Sequence, residues 1–179
     1  VNVEARNYKG YSPLRFASEN GNIEVVKYLI EQCHADVEAK GFEGYTPLHG
    51  ASDKGHFEIV KYLVEQCHAN VETKDKNGRT PLHCASDKGH FEIVKYLVEQ
   101  CHANVEAKDN DGRTPLHIAF ENRKIRIVKY LTEQCHANVK AKDKFGMTPL
   151  NIAILNGKIK VVKYLIEQCH ADFEAKDKD

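Results

Sequence analysis

Asp75 to Lys108 reads DKNGRTPLHCASDKGHFEIVKYLVEQCHANVEAK, and the whole chain is that 34-residue unit repeated about five times. The prolines Pro13, Pro47, Pro81, Pro115 and Pro149 keep one register, while Cys33, Cys67, Cys101, Cys135 and Cys169 keep another with the same spacing of 34. A fixed period of that length defines a solenoid, whose units bury their apolar faces only against their neighbours. The 179 residues therefore count repeats and do not measure one core.

Within the unit, Thr80 followed by Pro81 starts a helix: the hydroxyl caps free amides, and proline is tolerated at the first helical position. Helix A is predicted to run to Lys88, where Gly89 supplies the left-handed residue that ends it. His90 leads into helix B, whose Ile93, Val94, Leu97 and Val98 form an apolar stripe at helical spacing. One such pair of short helices does not hide the stripe, so it must pack on the neighbouring pair, each buried Leu, Ile or Val contributing roughly 1.5 to 3 kcal/mol. Past helix B the chain turns polar, and Asp75 to Arg79, with Asn77-Gly78, reads as the tip of a β-hairpin.

The segment T-P-L-H-x-A stands complete at Thr46 to Ala51, Thr80 to Ala85 and Thr114 to Ala119, with close copies at Ser12 to Ala17 and Thr148 to Ala153. This closely resembles the ankyrin repeat. The resemblance implies an all-α ankyrin-repeat solenoid, a right-handed, L-shaped stack of helix-turn-helix pairs carrying hairpin or loop fingers. Its repeats run 7–40, 41–74, 75–108, 109–142 and 143–176 in a single array over 1–179, with 1–6 and 177–179 as partial flanking units. A chain that opens on Val1 between broken repeats reads as a segment of a longer polypeptide.

The departures are specific. The family's unit is usually 33 residues, and here Cys67-His68 and its copies stand where it has a glycine, so helix B is expected to end slightly later. Arg15 and Asn151 replace the signature histidine, which alters its hydrogen bond in the first and last units. Arg123 takes the glycine position after helix A, where a left-handed non-glycine residue costs roughly 1 to 2 kcal/mol, so the fourth unit is the weakest. Neither end shows a clearly polar capping repeat.

With 26 basic and 26 acidic residues the chain has no whole-molecule field to draw in nucleic acid or an anionic membrane. It has no spanning apolar run and no secretory core at its start, so it is expected to be soluble, without membrane insertion. Five Cys-His pairs invite a zinc reading. Equivalent positions on stacked helices stand about 8 to 10 Å apart, however, whereas zinc ligands lie within roughly 2.3 Å of the ion. Cys67 falls in the stripe of Leu63 and Val60, so the thiols are read as packing groups. Inter-rung disulfides fail on the same distance, Cys84 is unpaired, and the thiols suit a reducing, cytoplasmic compartment. His68 and its copies are expected to favour the helix dipole or cap carbonyls. For His49, His83 and His117 the resemblance implies hydrogen bonds between adjacent turns. No H-E-x-x-H, C-x-x-C, G-x-S-x-G or phosphate-cradling G-x-x-x-x-G-K occurs, so no catalytic residue, cofactor or metal is expected. The ladder Lys27, Lys61, Lys95, Lys129 and Lys163 reads as a solvated, ion-paired face, and Tyr28, Tyr62, Tyr96, Tyr130 and Tyr164 as a stacked column.

Repetition separates frame from function. Residues 51–72 and 85–106 are identical, whereas differences gather just before each T-P-L-H. In the ankyrin family these tips, with the exposed side of helix A, line the concave surface that grips protein partners, which makes Tyr8, Tyr11, Phe42, Tyr45, Arg79, Arg113, Phe145 and Met147 the candidate partner-binding residues. The four aromatics on the first two tips form a binding hot spot or else pack on one another to close the row of fingers. Phe145 and Met147 would add a smaller patch, and Arg79 and Arg113 would hold a carboxylate between them. Phe120, Ile154 and Leu155 stand where other units have Ser18, Ser52 and Ser86 or their neighbours, as a groove floor or as packing. The leading expectation is a non-catalytic protein-protein interaction module or scaffold. The alternatives are a spacer in a longer array that self-associates end to end, and a targeting domain for activity elsewhere in the polypeptide.

Overall fold

The structure is a computed structural model and describes residues 2–8, 10–157, 159, 162–164 and 166. Each helix A begins at the proline that marks it: α1 (Pro13–Glu19), α3 (Pro47–Lys54), α5 (Pro81–Lys88), α7 (Pro115–Glu121) and α9 (Pro149–Leu155). The partners are α2 (Ile23–Glu31), α4 (Phe57–Glu65), α6 (Phe91–Glu99) and α8 (Ile125–Lys129), the last continued by a π-helical turn over Tyr130–Gln134. Cys169 and the partial unit 177–179 lie outside the described residues.

Capping fixes the helix starts. Thr46 Oγ1 accepts from the His49 main-chain N–H at 3.4 Å, and His49 Nδ1 accepts in return from the Thr46 N–H at 3.2 Å, a reciprocal box repeated at Thr80, Thr114 and Thr148. Left-handed residues fix the ends. Gly55 and Gly89 close α3 and α5 at φ 84° and 92°, and Arg123 takes the same turn at φ 61°.

After helix B the expectation for His68 and its copies needs correcting. His34, His68, His102 and His136 hold φ between 52° and 55°, so it is their backbone that serves, in a glycine's place. With that turn His68 donates its N–H to Val64 O at 3.2 Å and Ala69 to Leu63 O at 2.9 Å, which satisfies the last carbonyls while the imidazole stands exposed.

The hairpin expectation is also corrected, because the described residues contain no strand. The third, fourth and fifth fingers are tight turns tied by their first side chain: Asp75 Oδ1 accepts from the main-chain N–H groups of Asn77 and Arg79, both at 2.8 Å, and Asp109 and Asp143 do the same. Neighbouring fingers meet through an isolated main-chain bond, from Lys76 to Glu43 O (3.0 Å), Asn110 to Asn77 O (2.8 Å) and Lys144 to Asp111 O (2.9 Å). One such bond per junction is too little for a ladder.

The core runs the length of the stack. Leu14, Leu48, Leu82, Leu116 and Leu150 are buried beneath helix A, against Ile59, Val60 and Leu63 of α4 and their counterparts Ile93, Val94 and Leu97 of α6. Gly50, Ala51, Ala85 and Ala119 let successive A helices come closer than successive B helices, the asymmetry that bends a stack toward its A side. Phe120 is wholly buried, which decides its role for packing and removes it from any groove, whereas Ile154 and Leu155 are exposed.

Side chains cross every junction of the middle units. Glu38, Glu72 and Glu106 accept from the main-chain N–H of Asn70, Asn104 and Asn138, each at 2.7 Å. The tyrosines do not stack on one another as expected. Tyr62, Tyr96 and Tyr130 each donate to the glutamate one unit back, Glu31 (2.8 Å), Glu65 (3.2 Å) and Glu99 (3.1 Å), and Phe57 meets Tyr96 edge to face at 5.5 Å. A phenylalanine and a carboxylate of the preceding unit flank Tyr96 and Tyr130 and complete the column. In the lysine ladder Lys27 reaches Glu24 at 3.5 Å, and Lys61 and Lys95 stand exposed.

Candidate protein-binding surface

The signature histidines are joints rather than reactive groups. Because His49 Nδ1 accepts from Thr46, its proton sits on Nε2, which donates to Arg79 O in the next finger at 3.0 Å. His83 reaches Arg113 O at 3.1 Å and His117 reaches Met147 O at 3.3 Å, so each joint presents the finger residue that precedes the next threonine. Burial lowers all three pKa values, that of His83 to about 4, and keeps the rings neutral. His56 and His90 add joints that sequence reading missed, donating from Nε2 to Glu19 O and Asp53 O at the end of the preceding helix A, both at 2.9 Å. Their signal was the histidine right after the left-handed glycine, which a contact one unit away explains and a local reading does not.

On this frame the eight candidate residues separate by environment. Tyr8 is 87% exposed, Phe145 72% and Phe42 54%, the last with its ring over Gly10, where a Cβ would stand 2.3 Å from it. Tyr11, Tyr45, Arg79, Arg113 and Met147 are half-buried. Tyr11 lines a shallow hollow of about 220 Å³ with Ala5, Asn7, Ser12, Pro13 and Phe16. Its ring also carries the Arg15 guanidinium at 3.6 Å from the centroid, and Tyr45 stands on the far side of that guanidinium at 5.0 Å. Arg15, only 3% exposed, pairs with Glu19 at 2.9 Å. Tyr45 goes deeper still, its ring 5.2 Å from that of His49 and its hydroxyl 3.7 Å from Cys84 Sγ. Burial raises the phenol's pKa and pushes the Cys84 thiol up to about 12. Two of the four aromatics thus wrap Arg15, and two face outward.

The two arginines hold carboxylates of their own chain. Arg79 reaches Asp87 at 3.1 Å, while Arg113 reaches Asp109 at 2.9 Å, Glu121 at 3.4 Å and Asp111 at 3.6 Å. Lys144 pairs with Asp111 as well and lies over the Phe145 ring. The middle of the finger row is therefore neutralised internally, with its exposed rings toward the two ends.

Among the described residues, no three His, Cys, Asp or Glu side chains are grouped so as to hold a metal ion, and Cys33, Cys67, Cys84, Cys101 and Cys135 are free thiols. Cys101 and Cys135 pack against the core, and burial raises the pKa of Cys67, Cys101 and Cys135, so these sulfurs are poor nucleophiles. No described helix is long and apolar enough to cross a membrane.

Stacked helix pairs, Thr-Pro helix starts and histidine joints define a class, the α-solenoid repeat proteins. The family model for ankyrin repeats (3 copies) matches residues 14–109, 66–143 and 101–177, and the chain belongs to that family. No curated protein matches the sequence. Ankyrin repeats are in general protein-protein interaction modules and are typically non-catalytic.

Proposed function

We propose that residues 1–179 form one non-catalytic protein-binding array, intracellular and cytoplasmic, whose partner lies across the finger tips and the exposed side of helix A. The observation that carries this reading is the contrast between frame and tips. Equivalent core positions repeat, whereas the outward tips change from Tyr8 and Phe42 through Lys76, Asn77 and Asn110 to Phe145. Exposed aromatic rings at both ends of a row whose middle is ion-paired give a partner apolar anchors and little charge to match. The free thiols support a reducing compartment.

Capture of cellular proteins by the wild-type chain, compared with a Tyr8→Ala, Phe42→Ala, Phe145→Ala variant of matched melting temperature, tests this. Loss of specific bands supports the tips, and identical capture rejects them. A second reading, a spacer that stacks end to end on copies of itself, draws on the exposed Ile154, Leu155 and Ile159. Light scattering that rises with concentration in the wild type, and not in Leu155→Lys, distinguishes it.

A further inference from the structure

The fourth helix pair breaks the rules of its neighbours at one place, and nearly every break adds positive charge. Where the first three pairs have Gly21, Gly55 and Gly89, it has Arg123. Asn22, His56 and His90 give way to Lys124, and Glu24, Glu58 and Glu92 to Arg126. The first two of these changes do not help the fold. Arg123 holds φ 61°, and cations in the first turn of a helix oppose its dipole, which Glu58 and Glu92 complement in α4 and α6. Local rules broken together in one direction mark a surface kept for something other than stability.

The turn is open. Arg123 is exposed, Lys124 crosses the preceding turn over Gly89, and Ile125 is partly exposed between the cations. Arg126 is spoken for, lying on the Phe91 ring at 3.7 Å and reaching Glu92 at 3.3 Å. Among the described residues, Arg123 and Lys124 have no carboxylate within ion-pair distance. The chain itself displays the complement. Residues 7–108 contain 15 acidic and 12 basic side chains, residues 109–179 contain 10 and 13, and Glu24 and Glu58 stand exposed at the repeat positions that become basic.

We infer that this rim of helix turns is a self-association surface, on which Arg123 and Lys124 of one copy meet Glu58 of an antiparallel second copy. A two-fold axis through the third pair sets the second pair of each molecule against the fourth of the other, so both contacts form at once. The registers match because the same 34-residue step spaces both rows. The surface is separate from the finger tips and from the exposed end at Leu155.

Sedimentation of the wild-type chain should show a dimer at about 20 mM salt that is lost by about 500 mM, as expected for exposed pairs. Arg123→Glu with Lys124→Glu, and separately Glu58→Lys, should each weaken the dimer by about tenfold or more at low salt. An equimolar mixture of the two should restore a one-to-one complex. Arg123→Gln with Lys124→Gln serves as the milder variant, and melting curves report folding of each. A wild type monomeric at low salt, a mixture that stays monomeric, or association unchanged in both variants overturns the proposal. Rim-dependent binding of poly-glutamate or phosphatidylserine vesicles by a chain that remains monomeric overturns it too.

Discussion

Residue 41 has no side chain because Arg15 fills the space one would need: a Cβ on Gly41 would stand 2.4 Å from Arg15 Nη1. At the next three junctions this position holds Asp75, Asp109 or Asp143, whose carboxylates tie the finger, and the facing signature position holds His49, His83 or His117. The two departures are one event, because the longer guanidinium displaces the turn-closing aspartate. Gly41→Asp alone is expected to destabilise by about 1 to 3 kcal/mol through overpacking. Adding Arg15→His, which restores the pair used in the third and fourth units, should recover most of that loss. A double-mutant cycle by urea denaturation checks the coupling, and additive costs would refute it.

The neutral signature histidines make stability depend on pH with a definite sign. His83 titrates near 4 in the fold against about 6.5 when unfolded, so between those values the unfolded chain binds more protons. Its contribution is present in full above about 6.5 and is lost as pH falls toward 4, by about 3 kcal/mol if the whole shift is expressed. His49 and His117 shift in the same direction. Asn151 shows which substitution isolates the effect, since its Oδ1 accepts from Thr148 N–H at 2.9 Å and so keeps the cap without a titrating ring. His83→Asn should be less stable at pH 7.5, and its thermal midpoint should fall less than the wild type's between pH 6.5 and 4.5.

Burial divides the four aromatic candidates, and with them the expected mutants. Tyr45→Ala removes contacts with His49, Arg15 and Cys84 and is expected to cost about 2 kcal/mol or more. Tyr8→Ala, at an 87% exposed ring, should stay within about 0.5 kcal/mol of wild type. Equal melting temperatures for the two variants would contradict this division.

How much of this was legible in the sequence depends on the range of the interaction. Helix starts at Pro47 or Pro81 and the stop at Gly89 are local, and they could be read directly. The positive φ of His68 could not, because Cys67-His68 carries no glycine and only the closing bonds to Val64 and Leu63 impose the turn. Contacts one unit apart, such as His56 to Glu19 O, Tyr62 to Glu31 and Glu38 to Asn70, were hidden for another reason. Their spacings of 37, 31 and 32 lie on either side of the period, and a list of identical positions cannot show them. At the tips, composition found the aromatics but not their depth, since the burial of Tyr45 depends on Arg15 from the previous unit.

Arg123 gives the most direct test of whether the fourth unit sacrifices stability. Its φ of 61° is a conformation that glycine adopts freely, and a Cβ there is strained by roughly 1 to 2 kcal/mol. Arg123→Gly should therefore stabilise the chain, although glycine's larger entropy in the unfolded state offsets part of the gain. A net gain of about 1 kcal/mol would raise the melting temperature by roughly 2 to 4 °C. Lys124→His should add to this by offering an imidazole to Asp87 O, the carbonyl that matches Glu19 O and Asp53 O in the earlier joints. The pair of changes remakes the local sequence of the second and third units, so a double variant no more stable than wild type would mean that the strain lies elsewhere, with the π-helical turn at Tyr130–Gln134 the next place to look.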